Sequence, residues 1–503
     1  MTEKTSVPDS RSVSSATQGL MLKENSIFER SVANRVGFEL PPLEVPKRSP
    51  QKYHRSKPAE LPEVSELDVV RHFTRLSSWN YAIDLGTFPL GSCTMKYNPR
   101  INEEIAALPG LADIHPELPP EYCQGALEII YRLERALCDI SGLDDCSAQP
   151  AAGAHGELTG LLVIRAFHEK HGSSRNLVLI PESAHGTNAA SCTLADYKVV
   201  PLKANAQGIV SVDAVSEAIA KHGREIAAMM ITNPNTCGLF ESNIVEISEL
   251  LHGIGAQLYM DGANMNAIMG VAKPRDMGVD VMHFNLHKTF STPHGGGGPG
   301  AGPVAVRSHL APYLPAPRVT FRDGKFQLEH SPDTIGKVKG GFGNFGVMVR
   351  ALTYIAHHGS VGLKRVSRMA VLNANYLRHR LSNHFDLAFA TPSFHEVVLT
   401  DARQIKEKGV KTLQIAKALI DRGFHPPTVY FPLVVNGALL IEPTETESLQ
   451  ELDQLADAFI SIAEAIQSGE ETFDNAPTKT IVGKVDEVGA ARKPILSLDD
   501  RPH

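Results

Sequence analysis

Short apolar runs alternate with amphipathic stretches in the middle of the chain. Five runs are bounded by polar turns, as expected of strands buried on both faces of a sheet. They are Asn176 to Pro181, Ala227 to Thr232, Gln257 to Met260, Val281 to Leu286 and Pro303 to Val306. Between them, apolar residues recur at helical spacing, as in Val212 to His222 and Ile244 to Ile254. The alternation predicts an α/β fold with a mostly parallel sheet covered by helices.

The flanking sequence divides the rest of the chain. Residues 1–60 are rich in Ser, Pro and charge, which predicts an extended or partly disordered arm, and residues 61–124 form an N-terminal segment. Residues 125–345 hold the predicted sheet and form the large domain. Residues 346–468 contain longer helical stretches and predict a smaller C-terminal α/β domain, followed by a polar tail over 469–503. Three strands are predicted there, near His395 to Thr400, Thr428 to Phe431 and Ala438 to Ile441.

Composition narrows the class of protein. The 503 residues are 42% hydrophobic and 21% charged, as in an ordinary globular protein, with a formal charge of -7. The sequence has no block of basic residues of the kind that binds nucleic-acid phosphates. No apolar run reaches the roughly 18 residues needed to cross a bilayer. The six cysteines show no CxxC spacing, which predicts reduced thiols. We expect a cytoplasmic protein, with the mitochondrial matrix as the second possibility; Glu3 and Asp9 argue against a transit peptide.

Polar side chains follow four of the predicted strands. Asp261 comes directly after one strand and Lys288 after the next, while His185 and Asn235 follow two others. In open parallel sheets, ligands bind beyond the carboxyl ends of the strands. An acid, a lysine and a histidine are therefore predicted to meet at one edge of the sheet.

These residue types suit a pyridoxal 5′-phosphate (PLP) site. A lysine amine activated by burial or neighbouring cations forms a Schiff base, and a buried carboxylate keeps the pyridine nitrogen protonated. Asp261 stands 27 positions before Lys288, enough for one crossover helix. Small residues around Gly153 open a predicted helix whose N-terminus suits a phosphate. Taken singly, each residue also has a structural interpretation: a turn or helix cap for Asp261, a solvated surface residue for Lys288, a satisfied polar side chain for His185.

Several motifs together resemble one family. The sequence from Asn285 to Phe290, followed by Pro293-His294 and the glycine run from Gly295 to Gly300, resembles the cofactor-lysine motif of the glycine cleavage system P-protein family. Further segments resemble the same family in the expected order: Pro89 to Asn98, Pro150 to Glu157, Ser183 to Asn188, Asn233 to Thr236, Tyr259 to Asn266 and His425 to Pro432. Similarity runs from about Leu22 to the end. The chain resembles the C-terminal half of the single-chain members and hence the second subunit of the two-subunit form.

The resemblance implies a fold, a cofactor and roles for particular residues. The fold would be the PLP-dependent transferase fold type I, like that of aspartate aminotransferase. Lys288 would carry the cofactor, Asp261 would hold the pyridine nitrogen and His185 would stack on the ring. The remaining cofactor contacts would come from Gly153 and Ala154 at the phosphate, and from Asn235 and Ala263 along the ring. No metal is implied.

The resemblance also implies a reaction and partners. Glycine would be decarboxylated, and the aminomethyl group would pass to the lipoyl arm of H-protein. The first subunit would complete an α2β2 heterotetramer. A PLP decarboxylase or lyase acting on another amino acid is the alternative enzyme, because His287-Lys288 and the His185 region also resemble group II decarboxylases. A catalytically silent subunit is the alternative of another class, against which intact Lys288 and Asp261 argue.

Overall fold

The computed structural model describes residues 24–46, 53–57, 59–115, 118–295, 298, 300–470 and 472–497. Contacts divide the chain into two units, Gly86–Ala476 and a second one formed by Met1–Leu85 with Pro477–His503. The predicted boundaries at 124, 345 and 468 stay predictions. Of the predicted arm, residues 1–23 lie outside the described residues, and no described residue before Glu66 belongs to an α-helix or strand. Within the described residues, no helix has the length and apolar character that crossing a membrane requires.

The described residues of the second unit contain two α-helices, α1 (Glu66–Ser77) and, near the C-terminus, α13 (Glu487–Arg492). Helix α1 begins at a capping box in which the Ser65 hydroxyl accepts from the Asp68 backbone N–H and the Asp68 carboxylate accepts from the Ser65 N–H. Such a reciprocal pair satisfies two of the free donors at a helix start.

A seven-stranded sheet forms the centre of Gly86–Ala476, in the order β1-β7-β6-β5-β4-β2-β3. Strands β6, β5, β4, β2 and β3 are parallel to one another, whereas β7 runs antiparallel to both β1 and β6. The strands are β1 (Asp145–Ser147), β2 (Leu177–Pro181), β3 (Lys198–Leu202), β4 (Ile226–Thr232), β5 (Gln257–Gly262), β6 (Val281–Phe284) and β7 (Val304–Val306). A separate hairpin pairs β8 (Arg318–Arg322) with β9 (Lys325–Glu329).

Both faces of this sheet are buried. Alternate residues of one strand belong to different hydrophobic clusters: in β4, Met229 and Ile231 pack on one side, and Ala228 and Met230 on the other. This explains why the strands appear in the sequence as continuous apolar runs. The helices of this region are α2 (Arg100–Ala106), α3 (Pro109–Ala112), α4 (Gln124–Ser141), α5 (Gly153–Lys170), α6 (Gly186–Leu194), α7 (Val212–His222) and α8 (Ile244–Gly253).

A smaller antiparallel sheet has the order β10-β11-β13-β12. Its strands are β10 (Asp386–Leu387), β11 (Val397–Thr400), β12 (Thr428–Val429) and β13 (Ala438–Ile441). The helices of this part are α9 (Phe345–Leu381), α10 (Ala402–Lys408), α11 (Thr412–Asp421) and α12 (Leu449–Ser468). Helix α9 is two helical segments joined at Gly359, whose backbone is not helical (φ 58°).

The structure confirms the predicted α/β class, the five central strands and the two amphipathic helices, now β2, β4 to β7, α7 and α8. The sequence interpretation missed β3 at the sheet edge, because Lys198 and Pro201 interrupt its apolar pattern. It also left open the direction of β7, which returns antiparallel beside β6. The three C-terminal strands are present, and β10 is additional.

Candidate active site

A cavity of about 260 Å³ lies at the carboxyl ends of the parallel strands. Residues that follow β2, β4, β5 and β6 line it, because these strands are consecutive in the sheet. The lining residues are Ser92, Ala152, Gly153, Ala154, Glu157, His185, Thr187, Thr232, Thr236, Asp261, Ala263, Asn264, His283, Asn285, His287 and Lys288. Lys288 and Asp261 therefore face one space, as the strand-end argument predicts. A larger cavity of about 430 Å³ has mainly apolar walls and contains no lysine among its lining residues.

Lys288 lies four residues beyond the end of β6. A turn in which the Lys288 backbone N–H donates to the Asn285 carbonyl (3.0 Å) directs it toward the cavity. The side chain is half-buried, and Nζ donates to the carbonyl oxygen of Ser92 at 2.9 Å. Ser92 has a left-handed backbone (φ 64°), unusual for a residue with a side chain. The amine is thus held by a polar contact rather than exposed to bulk water.

Asp261 is the last residue but one of β5 and is only 2% exposed. Its Oδ2 accepts from the Asn188 amide at 3.0 Å, its Oδ1 accepts from the Ala263 N–H at 2.9 Å, and His283 Nε2 lies 3.2 Å from Oδ1. Burial alone would raise the pKa of Asp261, but His283, the two hydrogen bonds and the nearby Lys288 charge outweigh it and lower that pKa. The carboxylate is therefore kept ionised although it is buried.

His283 extends this arrangement into the sheet. Its Nδ1 lies 2.9 Å from the Tyr259 hydroxyl, and that hydroxyl also donates to the Gly156 carbonyl at 3.3 Å. Tyr259 is fully buried and His283 is 1% exposed. A chain of polar contacts thus runs from helix α5 through Tyr259 and His283 to Asp261, and it fixes the orientation of the carboxylate.

His185 is the N-cap residue of α6, directly beside the cavity. Its Nδ1 accepts from the Thr187 backbone N–H (3.3 Å) and lies 2.8 Å from the Thr187 hydroxyl, which donates to Glu157 Oε1 at 2.8 Å. The ring is exposed toward solvent and lies edge-on to Phe431, with centroids 5.9 Å apart. The cap fixes the position of this ring in the wall of the cavity.

Helix α5 begins at the cavity with Gly153 and Ala154. Its N-cap residue, Ala152, has no side-chain acceptor for the first N–H groups of the helix, and Ala152, Gly153 and Ala154 all line the cavity. A Cβ at position 153 would lie 2.5 Å from Asn285 Nδ2, so only glycine allows this close approach. A helix start of this kind attracts anions.

Of the seven predicted site residues, six line the cavity: Lys288, Asp261, His185, Gly153, Ala154 and Ala263. Asn235 does not. Its amide donates to Gly208 O and Glu241 Oε1, and its Oδ1 accepts from the backbone N–H groups of Cys237 and Leu239. These bonds stabilise the turn after β4, so the Asn235 side chain supports the wall rather than forming it.

The sequence interpretation missed three groups that matter here. Asn188 and His283 both bind Asp261, and Ser92 accepts from Lys288. A polar signal existed for His283, which interrupts the apolar run of β6. Ser92 lies 196 residues from Lys288 in sequence, so only the fold brings them together.

Comparison with known proteins agrees with this geometry. The family model of the glycine cleavage system P-protein matches residues 35–321, and that of the glycine dehydrogenase C-terminal domain matches 366–482. A protein of Listeria innocua named "Probable glycine dehydrogenase (decarboxylating) subunit 2" is 52% identical over 93% of this chain and 97% of its own. A protein of the same name from Caldanaerobacter subterraneus is 51% identical over 95% of this chain and 99% of its own.

Solved structures show the same fold. The glycine decarboxylase (P-protein) of the glycine cleavage system, in inhibitor-bound form, has a TM-score of 0.70 at 21% identity, covering 82% of this chain and 93% of that one. A cysteine desulfurase from Thermococcus onnurineus has a TM-score of 0.59 at 13% identity, covering 76% of this chain and 95% of that one. The fold is thus the PLP-dependent transferase fold type I, and the chain belongs to the glycine cleavage system P-protein family.

Proposed function

We propose that this chain is the PLP-bearing subunit of a glycine dehydrogenase that decarboxylates glycine and passes the aminomethyl group to the lipoyl arm of H-protein. The observation that carries the proposal is the placement of Lys288 and Asp261 at neighbouring strand ends around one cavity. Relatives at about half identity over nearly their whole length are named for this activity.

The residues present fit the cofactor. The uncapped start of α5 offers N–H donors for a phosphate, and the ionised Asp261 offers a partner for a pyridinium nitrogen. Three further polar atoms of cavity-lining residues, Thr232 Oγ1, Asn285 Oδ1 and His287 Nδ1, are buried without a hydrogen-bond partner among the described residues. Buried polar atoms are rarely left unpaired in a complete protein. A polar ligand in this cavity would satisfy them.

Each residue then has a role. Lys288 would bind the cofactor covalently through Nζ, Gly153 and Ala154 would hold the phosphate, Ala263 would line the ring, and His185 would stack on it. When bound, PLP supplies the electron sink that accepts the pair left behind as carbon dioxide departs.

The protein itself contributes charge and position. Asp261, kept ionised by His283 and Asn188, holds a proton on the ring nitrogen, and the buried surroundings strengthen this pairing. The Ser92 carbonyl receives the Lys288 amine whenever that amine is free. Half-burial keeps the amine from full hydration, which favours its use as a nucleophile.

Partners follow from the same proposal. The named relatives are called subunit 2, so we propose a homologous subunit 1 as partner, in an α2β2 heterotetramer, and lipoylated H-protein as the acceptor of the aminomethyl group. The alternative is a PLP enzyme acting on a larger amino acid without H-protein.

The first experiment tests the covalent site. The purified chain with added PLP is expected to show the absorption band of a lysine Schiff base, and borohydride reduction followed by peptide mapping should place the label on Lys288. Lys288→Ala should fold but lose the reducible adduct. The control Lys170→Ala, at a lysine 60% exposed in a surface ion pair, should keep it. A label on another lysine would refute the assignment.

The second experiment tests the substrate. With subunit 1 and lipoylated H-protein present, glycine-dependent exchange of labelled bicarbonate is expected for the wild type and for Lys170→Ala, but not for Lys288→Ala. Turnover of a larger amino acid in the absence of H-protein would favour the alternative enzyme. Exchange that survives in Lys288→Ala would refute the mechanism.

A further inference from the structure

Three ionisable side chains form a buried cluster near Lys288 that the proposed mechanism does not use. His395 and Glu396 directly precede β11, and Glu442 directly follows β13. The two strands pair antiparallel with Val397 opposite Ile441, which brings the two glutamates together. All three side chains are fully buried, and one ligand atom from each lies within 4.8 Å of the others.

Each carboxyl group of this cluster has one bonded and one unpaired oxygen. Glu396 Oε2 accepts from the Ser92 N–H at 2.9 Å, and Glu442 Oε1 accepts from the Thr94 hydroxyl at 2.6 Å. Glu396 Oε1, Glu442 Oε2 and both ring nitrogens of His395 have no hydrogen-bond partner within the described part of the chain. Two adjacent buried carboxylates cannot both stay ionised, and a shared proton is the usual resolution.

Ser92 connects the cluster to Lys288. Its carbonyl oxygen accepts from Lys288 Nζ, while its N–H donates to Glu396. One residue in a left-handed conformation therefore has the lysine cation at one end and a carboxyl group at the other. The positive charge on Lys288 acts to lower the pKa of both glutamates and of His395.

Among the described residues, four other titratable groups interact with the two glutamates. Lys96 and Glu445, which are ion-paired at 2.8 Å, influence Glu442. The Cys93 thiol interacts with Glu442 and Lys288, and the Cys237 thiol with Glu396. Burial raises the pKa of Glu442 to about 7, although Thr94, Lys288 and Lys96 oppose the rise. Burial, and then Glu442, raise the pKa of Glu396. Burial lowers the pKa of His395 to about 3, so its imidazole is neutral.

We propose that the pair Glu396 and Glu442 carries one proton, on either carboxyl group, while Lys288 is a free ammonium, and takes up a second proton when Lys288 loses its charge. The inference rests on the proposed role of Lys288 and deepens it, since the amine must give up its proton, and with it its charge, before it can act as a nucleophile. In the uptake step, a proton from solvent forms an O–H bond with a lone pair of the ionised carboxylate, and no other bond changes. Proton uptake by the carboxyl pair thus compensates for the positive charge that Lys288 loses, and proton release accompanies the return of that charge.

The test uses the full chain without cofactor, so it does not depend on PLP binding. Infrared difference spectra between about pH 5 and pH 9 report the C=O stretch of protonated carboxyl groups, and Glu442→Gln and Glu396→Gln identify the cluster's contribution. Lys288→Met mimics loss of the lysine charge. The matched control is Glu134→Gln: Glu134 is also buried with a pKa raised by burial to about 7, and it belongs to another part of the fold.

The expected result is a titrating carboxyl signal that is absent from Glu442→Gln and Glu396→Gln. Its midpoint should rise by roughly one pH unit or more in Lys288→Met, because the nearby cation is gone. The signal that Glu134→Gln removes should not move.

Three results would overturn the inference. The first is a titration midpoint of the cluster that does not change in Lys288→Met. The second is an equal change, in Lys288→Met, of the midpoint that belongs to Glu134. The third is a stoichiometric divalent metal that is found in the purified chain and lost in Glu442→Gln. Failure of PLP to bind would instead count only against the proposed function, and it would show in the absorption spectrum.

Discussion

Replacing Lys96 with methionine should destabilise the unit Gly86–Ala476 substantially. The Lys96 ammonium donates to Glu445 at 2.8 Å, to Asn266 at 2.8 Å and to the Tyr354 hydroxyl at 3.2 Å. The side chains of the ion pair are 1% and 8% exposed. Methionine fills a similar volume but leaves a buried carboxylate without its counter-charge. Breaking one partner of such a pair costs about 3–5 kcal/mol, far more than loss of a surface pair.

The measurement is urea unfolding followed by circular dichroism, comparing midpoints at unchanged slope. Lys96→Met should lower the midpoint strongly, and the double variant with Glu445→Gln should recover part of the loss because no unpaired charge remains buried. The exposed pair of Lys170 with Asp333 provides the control, and Lys170→Ala should cost less than about 1 kcal/mol. If Lys96→Met costs no more than this control, the ion pair does not stabilise the fold as argued.

Three further predictions concern the site and its support. Gly302→Ala should lower the free energy of unfolding by roughly 1–3 kcal/mol, seen as a lower urea midpoint, and weaken PLP binding, because a Cβ there would lie 2.0 Å from the Ala152 carbonyl at the start of α5; Gly125→Ala, with open space around it, should do neither. Asp261→Asn should retain PLP but slow glycine-dependent bicarbonate exchange by orders of magnitude, and a near-normal rate would show that another group holds the ring nitrogen proton. Glu134→Gln should flatten the pH dependence of stability: burial raises the pKa of Glu134 from 4.5 to about 7, so the folded state holds a proton that the unfolded chain releases, and wild-type stability falls as the pH rises from about 4.5 through 7. Unfolding at several pH values checks this, and equal slopes in both proteins would contradict it.

Sequence patterns predicted those parts of the site that are placed by a strand end or by a motif of neighbouring residues. The apolar runs located β4, β5 and β6, and strand ends in a parallel sheet share an edge, so Asp261 and Lys288 could be brought together without coordinates. Gly153 followed from the small residues that open a predicted helix, and Ala263 followed from the family resemblance. The assignment of Asn235 shows the limit of this reasoning, because a motif residue after a strand turned out to bond its own turn.

The parts that the sequence did not reveal depend on distant pairs. Ser92 and Glu396 are 304 residues apart, and their contact follows from the packing of the residue 86–98 segment on the smaller sheet, which Leu90 joins by a bridge to Ile441. His395 and Glu396 appear in the sequence as ordinary polar residues before a strand. Their complete burial comes from tertiary packing, which no local periodicity reports.

The antiparallel return of β7 beside β6 has a consequence for the tolerance of this region to change. Strand β6 ends at Phe284 and its hydrogen-bonded neighbour β7 begins at Val304, so the connection that carries Lys288 is attached to adjacent strands at both ends. Lys288 lies near the first attachment, and the glycine run lies beyond it. An insertion between Phe284 and Lys288 should therefore be poorly tolerated, since it would move the reactive amine away from the Ser92 carbonyl.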